Sequence, residues 1–273
     1  MLRIVSAIAV LAIAAAAAAG ERVEFSGENT QGGLMVGHAP AGAEVTVDGR
    51  AVSVSPDGLF AFGIGRDAEG PVTVAVAAGG EVTRHRLEVR QREYDVQRID
   101  GLPPSKVSPS AEDLARIRDE QALINRARGR DLARSGFAQE WLWPVTGIIT
   151  GVYGSQRVLN GKPRRPHYGV DVAADKGTPV RAPAAGIVAL AHPDMYFSGH
   201  TVILDHGHGV TSTLIHMSEM HVEAGDEVAR GEVIGAVGAT GRATGPHLHW
   251  GVNWFDTRLD PALLVPPMSE LVD

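Results

Sequence analysis

The chain has 273 residues, of which 44% are hydrophobic, so it is long enough to form two modest domains that each bury a core. Its net charge of −7 disfavours nucleic acid as a main partner, because phosphate binding requires a basic surface. It contains no cysteine. Disulfides and a lipid anchor on cysteine are therefore not expected, and any metal must be held by His, Asp or Glu.

The first twenty residues are typical of a secretory signal peptide. Arg3 gives a positive start, an apolar stretch follows over residues 4–16, and Ala17, Ala18 and Ala19 offer small residues for cleavage. The apolar stretch is shorter than the roughly 20 residues that span a bilayer. We therefore expect an exported, periplasmic protein with no stable membrane anchor after cleavage. The alternative is a retained N-terminal anchor.

Residues 21–98 are predicted to form a small β-sandwich. Apolar and polar residues alternate over 45–47 and 72–76, and turns are indicated at 48–49 and 56–58. Short strands separated by turns every 8–12 residues or so are typical of that architecture. This region contains no catalytic constellation, so we interpret it as a spacer or as a module that binds a protein partner.

Residues 99–140 are predicted to be a linker followed by a helix. Proline and glycine mark the linker, and Ser108 with Pro109 is typical of a helix start. A loose apolar stripe in a highly charged stretch predicts a helix over about 109–134. Such a helix can pack on either domain or hold the two apart.

The C-terminal half is again rich in strand patterns. Residues 141–265 show no repeated βαβ pattern, which favours an antiparallel β-sheet domain, and residues 266–273 are predicted to be a frayed tail. The predicted fold class is therefore mainly β: an N-terminal sandwich, a helical linker and a C-terminal antiparallel sheet domain.

Nine of the eleven histidines lie after residue 166, and two motifs among them suit a metal. His167 precedes Asp171 by four residues, and His247 precedes His249 by two. In a strand, His247 and His249 point to the same face with Cα atoms about 6.6 Å apart. Imidazole and carboxylate ligands with an open fourth position are typical of a catalytic zinc site. Either motif alone is also common among structural residues, so their joint occurrence carries the interpretation.

At this point the sequence resembles the M23 family of zinc peptidases, the lysostaphin-like or LytM-like domains, over residues 143–261. The resemblance rests on the order and spacing of eight short motifs, at residues 151–154, 167–171, 177–180, 185–188, 205–209, 225–228, 231–235 and 240–249. It covers a little under half of the chain and implies nothing about residues 21–100.

The resemblance implies one Zn²⁺ per chain, bound by His167, Asp171 and His249. It also implies two catalytic histidines, His247 and His216, of which either acts as the general base. The reaction implied is hydrolysis of peptide cross-links in bacterial peptidoglycan, with D-alanyl–meso-diaminopimelate bridges as the expected bond. No His-Glu-x-x-His motif is present, which excludes the helix-borne metallopeptidase design.

The sequence departs from the family pattern at four positions. Leu214 and Met217 replace the Tyr and Leu that usually flank the catalytic His216, and Trp250 with Gly251 replaces a usual Phe-Glu pair. These changes leave every expected ligand and catalytic histidine in place and affect the shape of the groove.

Several residues keep two interpretations. His206 and His208 are structural or help to orient the site. Arg164 and Arg165 pair with a substrate carboxylate or belong to a solvated basic loop.

Three alternatives to a constitutive cross-link peptidase remain. The first is a non-catalytic LytM-like binding module that activates a cell-wall amidase. The second is a peptidase with another target, such as a glycine-rich bridge or a protein. The third is a latent peptidase whose groove is covered by the helix or the N-terminal module.

Overall fold

The structure, a computed structural model, describes residues 23–99, 111–159 and 162–270. The predicted signal peptide over residues 1–20 and the predicted helix start at Ser108 and Pro109 lie outside the described residues. Within those three ranges, no helix is long and apolar enough to cross a membrane.

The described chain is mainly β, as the sequence predicts. The first strands are β1 (Glu24–Gly27), β2 (Leu34–His38), β3 (Glu44–Val47), β4 (Arg50–Val52), β5 (Leu59–Gly63), β6 (Val72–Ala78), β7 (Glu81–Leu87) and β8 (Val96–Ile99). A helix, α1 (Ala111–Arg128), follows. The later strands are β9 (Ile148–Gly151), β10 (Gln156–Leu159), β11 (Lys162–Pro163), β12 (Val170–Ala173), β13 (Pro179–Arg181), β14 (Gly186–Met195), β15 (Gly199–Gly207), β16 (Val210–Met217), β17 (Glu219–Met220), β18 (Glu227–Val228), β19 (Val233–Ala236), β20 (His247–Trp254) and β21 (Thr257–Leu259). Short 3-10 turns cover Gly136–Ala138, Pro261–Leu263 and Met268–Glu270.

The N-terminal strands form the predicted β-sandwich. β1, β2 and β5 make one antiparallel sheet, and β4, β3, β6 and β7 make the other, in those orders. Alternation along β6 buries Val72, Val74 and Val76, while β5 contributes the fully buried rings of Phe60 and Phe62 to the same core.

The sandwich is docked on the C-terminal region through β5. Gly63 lies so close to β20 and β21 that a Cβ there would come within 2.8 Å of the side chains of Trp254 and Leu259. Arg92 adds an ion pair of 2.8 Å with the buried carboxylate of Asp260. β8 adds a parallel pair with β10. The two regions are therefore packed against each other.

The helix α1 packs on β14 and β15 of the C-terminal region. Its contact is partly polar. Glu120 accepts hydrogen bonds from the Arg116 side chain at 2.7 Å and from the Tyr196 backbone N–H at 2.9 Å. Leu114, which the apolar stripe includes, is 43% exposed.

The helix ends at Arg128, short of the predicted end near residue 134, and that part of the prediction is wrong. Gly129 follows the last helical residue. Arg130 and Arg134 then make ion pairs with Asp205 and Glu227 of the C-terminal region. Arginine has good helix propensity, so Arg130 and Arg134 favour a longer helix. Their ion pairs with the C-terminal region override that local preference.

An antiparallel sheet of eight strands dominates the C-terminal region. Its order is β18-β14-β15-β16-β20-β12-β9, with β21 also paired to β20. One face of β20 carries Leu248, Trp250 and Val252 into the core, where all three are fully buried. The opposite face carries His247 and His249. The fold therefore presents these two histidines on the side of the sheet that faces away from its core.

The tail that the sequence predicts over residues 266–273 is held at two points within residues 266–270. The indole N–H of Trp143 donates to the carbonyl oxygen of Pro266 at 2.8 Å, and Met268 is buried. Residues 271–273 lie outside the described part.

Candidate metal centre

Three predicted ligands converge where β12 lies beside β20. Asp171 on β12 is the direct register partner of His249 on β20, and His167 lies in the loop before β12. Oδ1 of Asp171 lies 2.7 Å from Nδ1 of His249 and 3.1 Å from Nε2 of His167, and these two nitrogens are 3.0 Å apart. Among the described residues these three side chains form a group with metal-ligating geometry.

The electrostatics of the group suit a cation. Burial raises the pKa of Asp171, but hydrogen bonds from His167 and His249 outweigh burial and hold its pKa well below the usual range. Burial lowers the pKa of His249 and favours its neutral form. Nδ1 of His167 lies 3.0 Å from the carbonyl oxygen of Val152, so a proton held on Nδ1 would leave the lone pair of Nε2 for a metal. The group thus offers one carboxylate and two imidazole rings.

The spacing of the three donor atoms can be compared with what a metal needs. Tetrahedral zinc, with ligand distances of about 2.0–2.1 Å, holds its ligand atoms roughly 3.3 Å apart. The triangle found here has edges of 2.7, 3.0 and 3.1 Å, so it accepts such an ion after opening by a few tenths of an ångström. The donor set therefore fits a metal ion of the borderline type that prefers N and O ligands.

Two glycines make room for the ligands. Gly151 on β9 lies opposite Asp171, and a Cβ there would come within 2.5 Å of Oδ2 of the carboxylate. Gly169 lies beside His249, and a Cβ there would come within 2.7 Å of the imidazole. The sequence analysis assigns no role to either glycine, because the clearance arises only when separate strands pair.

His247 and His216, the two predicted catalytic residues, form a pair next to the ligands. His247 shares the strand face of His249, two residues away. The rings of His216 and His247 have centroids 4.8 Å apart. Nδ1 of His247 faces the carbonyl oxygen of Gly245 at 2.9 Å, and Nδ1 of His216 faces that of Thr240 at 2.8 Å. In each ring the proton therefore stays on Nδ1, which donates it to a carbonyl oxygen, and Nε2 presents a lone pair.

An unusual backbone conformation brings His216 to this face. Ile215 is the register partner of His249 and shares its face, so regular alternation would direct His216 towards the core with Leu214. His216 instead has φ of 65°, in the left-handed region that non-glycine residues seldom occupy. The strand turns there, and the ring of His216 meets the ring of His247. Backbone strain of this kind is concentrated at functional sites.

Thr240 holds this conformation in place. Its Oγ1 donates to the carbonyl oxygen of Met217 at 2.7 Å and accepts from the backbone N–H of His200 at 3.0 Å. Its own carbonyl oxygen lies 2.8 Å from Nδ1 of His216. Burial lowers the pKa of His216 to about 4, so the ring is neutral near pH 7. Thr240 is a positioning residue that the sequence analysis does not single out.

The remaining histidine of interest, His206, has a structural environment. Its Nδ1 lies 2.8 Å from the carbonyl oxygen of Ala185 and its Nε2 lies 2.8 Å from the hydroxyl of Ser212. The ring is fully buried and packs edge-on against Trp141. Leu214, where the sequence departs from the family pattern, is also a fully buried core residue.

The antiparallel sheet, the histidine–carboxylate triad and the adjacent histidine pair define a β-sheet protein with a candidate metal site, and comparison with known proteins gives its family. Residues 165–261 match Peptidase family M23. A crystal structure from Pseudomonas aeruginosa, of a protein assigned to peptidase M23, shares 33% identity over 87% of this chain and 95% of that chain, with a TM-score of 0.67. The chain belongs to peptidase family M23.

Curated relatives match over shorter stretches. The DD-carboxypeptidase/endopeptidase Mpg of Neisseria meningitidis is 40% identical over 107 residues, which is 39% of this chain and 24% of that protein. The peptidoglycan DD-endopeptidase ShyA of Vibrio cholerae is 41% identical over 31% of this chain and 20% of that protein. The cell division protein DipM of Caulobacter vibrioides is 32% identical over 46% of this chain and 21% of that protein. The chain thus spans less than a quarter of the length of these curated relatives.

Proposed function

We propose that this protein is a zinc-dependent endopeptidase that hydrolyses peptide cross-links of bacterial peptidoglycan. The observation that carries the proposal is the triad His167, Asp171 and His249 with the pair His216 and His247 beside it. A binding module needs neither a ligand triad with an open side nor two oriented bases next to it.

The metal proposed for the triad is zinc, one ion per chain. Two imidazoles and one carboxylate are ligands that zinc accepts in catalytic sites, and a fourth position remains for water or substrate. Bound zinc supplies Lewis acidity, which activates water as a nucleophile and polarises the carbonyl group of the substrate.

His216 and His247 are proposed to move protons. Each is oriented by a backbone carbonyl at Nδ1, so each directs an Nε2 lone pair to the site face. A neutral imidazole in that position accepts a proton from the nucleophile, and its protonated form donates a proton to the leaving amine. Two adjacent imidazoles can divide these tasks.

The names of the relatives support the proposed substrate class. Mpg and ShyA carry names that refer to DD-endopeptidase activity, and ShyA's name refers to peptidoglycan. The bond proposed here is the D-alanyl–meso-diaminopimelate bridge. A substrate of that kind lies outside the cytoplasmic membrane, which agrees with the signal peptide proposed for residues 1–20 and with a periplasmic location.

The proposed organisation of the chain keeps the division made from the sequence. Residues 21–98 form a module for a protein partner, residues 99–140 form a linker and helix, residues 141–265 carry the peptidase activity and residues 266–273 are a tail. The docking of β5 on β20 and β21 supports a module that acts from a fixed position beside the peptidase region.

The test compares two purified cell walls, one with D-alanyl–meso-diaminopimelate bridges and one with glycine bridges. The zinc-loaded mature protein is incubated with each, and mass spectrometry identifies the new termini. We expect new D-alanyl carboxyl termini from the first wall. Cleavage of the glycine-bridged wall alone would overturn the proposed bond, and absence of cleavage in both walls would overturn the proposed activity.

A further inference from the structure

A charged cavity lies where the C-terminal end of α1 meets β20 and β21. Its volume is about 580 Å³. Three arginines from separate parts of the chain line it: Arg128 from the last turn of α1, Arg165 from the loop before β12 and Arg258 from β21.

These arginines make no ion pair among the described residues. None of the ion pairs found there involves Arg128, Arg165 or Arg258, although exposed Asp256 lies on the rim of the cavity. Arg128 is only 9% exposed. One of its terminal nitrogens donates to the hydroxyl of Thr213 at 2.9 Å, and its Nε has no hydrogen-bond partner. A buried guanidinium with an unpaired donor is costly unless a ligand completes it.

The arginines also act on one another. Burial, followed by repulsion from Arg165, lowers the pKa of Arg258 to about 10. Burial, followed by repulsion from Arg258 and Arg165, lowers the pKa of Arg128 as well. Like charges that converge in a cleft without an ion pair to a carboxylate are typical of a binding site for an anion.

The cavity lies on the same side of the sheet as the metal triad, beyond Tyr168, which lines it and directly follows His167 in the chain. The hydroxyl of Thr213 accepts the hydrogen bond from Arg128, and Thr213 is the register partner of Gly251. Gly251 lies two residues after His249. Asn253, four residues after His249, lines the cavity. Strand rise places these positions roughly 7 and 13 Å from His249. A Cβ at Gly251 would come within 3.0 Å of the backbone oxygen of Tyr168, so the loop that carries His167 and Tyr168 lies between the triad and the cavity.

We propose that Arg128, Arg165 and Arg258 form a subsite for a free carboxylate of the peptide substrate, two to four residue lengths from the bond that is cut. The proposal rests on the function proposed above and names a recognition element for it. Guanidinium groups bind carboxylates through paired, charge-assisted hydrogen bonds, and a cavity with three of them favours a substrate that carries such a group. Stem peptides with diaminopimelate offer carboxylates that are not part of an amide bond.

The test uses matched peptides in two assays. The first measures binding of an uncross-linked stem tetrapeptide by calorimetry, with its carboxylates free or converted to amides. The second measures kcat and KM for a cross-linked dimer with free or amidated carboxylates. The proteins are the zinc-loaded wild type, Arg128→Gln, Arg165→Gln and the control Arg126→Gln, whose side chain is exposed on the same helix. Arg165 is exposed, so its variant remains informative if Arg128→Gln folds poorly.

We expect the wild type to bind the free-carboxylate tetrapeptide about tenfold more tightly than its amide, because a charge-assisted contact is lost. Arg128→Gln and Arg165→Gln should remove that preference and raise KM for the free-carboxylate dimer about tenfold, with kcat unchanged. Arg126→Gln should behave as the wild type.

The two proposals fail in different ways. Equal binding of the two tetrapeptides by the wild type, or a preference retained in both Arg128→Gln and Arg165→Gln, would overturn the subsite while leaving cross-link cleavage intact. Carboxylate-dependent binding without cleavage of any dimer would support the subsite and overturn the peptidase proposal.

Discussion

Asp171 and His249 face each other across two antiparallel strands, with Oδ1 of the carboxylate 2.7 Å from Nδ1 of the imidazole. The pairing of β12 with β20 therefore builds the core of the site directly. His167 joins them from the loop only four residues before Asp171. Rigid strands hold side chains more precisely than loops do, so most of the ligand geometry depends on the register of one strand pair.

Gly151→Ala tests whether clearance around Asp171 matters. A Cβ would come within 2.5 Å of Oδ2, and the carboxylate must shift to avoid it. We expect zinc affinity to fall at least about tenfold, as measured by competition with a chromogenic chelator. Gly65→Ala is the control, because its Cβ would meet only ordinary contact at 3.7 Å. Equal zinc affinity in the two variants would contradict this account of Gly151.

His216→Ala and His247→Ala separate proton transfer from metal binding. Neither residue belongs to the triad, so each variant should retain about one zinc per chain. Loss of a positioned acid or base should lower kcat roughly 100-fold to 10,000-fold. Mass spectrometry measures the zinc content of each variant, and the loss of turbidity of a cell-wall suspension measures its turnover. A variant with normal turnover would show that its histidine has no catalytic role.

Thr240→Val tests the positioning of His216. Valine keeps the shape of the side chain but removes the hydrogen bonds to Met217 and His200. We expect kcat to fall roughly tenfold with KM and zinc content unchanged, because the imidazole of His216 is held less accurately. Thr211→Val serves as the control, since the hydroxyl of Thr211 is buried with no hydrogen-bond partner. A similar kcat in the two variants would argue against a positioning role.

His206→Gln tests the acid sensitivity of the fold. Burial lowers the pKa of His206 to about 4 from its ordinary value of 6.5, so its neutral form is favoured in the folded state. The unfolded chain therefore binds more protons between pH 6.5 and pH 4, and stability must fall as pH falls through that window. Between pH 7 and pH 5 this residue should account for about 2 kcal/mol of the loss. Urea unfolding at both pH values should show a smaller loss in the variant, and an equal loss would contradict the prediction.

The sequence predicts the fold class well, and it singles out the histidines and the aspartate that the structure brings together, because both depend on local patterns. Alternation in β6 and the His-x-His spacing of β20 are visible in a single segment. The conformation of His216 is not, because strict alternation would place its ring on the core side of β16. The clearances at Gly151 and Gly169 also require knowledge of which strands pair.

The end of α1 and the arginine cavity could not be predicted from the sequence for a related reason: both depend on contacts between distant segments. Arg130, Leu132 and Ala133, which follow Gly129, have adequate helix propensity, but ion pairs of Arg130 and Arg134 with distant strands direct this segment elsewhere. Arg165 attracts attention as a basic residue near His167, whereas Arg128 and Arg258 become relevant only when α1 and β21 meet.

The central claim is tested most directly by measuring zinc content and wall digestion on the same preparations of the mature protein and of His249→Ala. The account predicts about one zinc per wild-type chain with release of cross-linked fragments, and loss of both in the variant. A wild-type protein that binds no zinc and releases nothing, or a His249→Ala variant that keeps both properties, would contradict it.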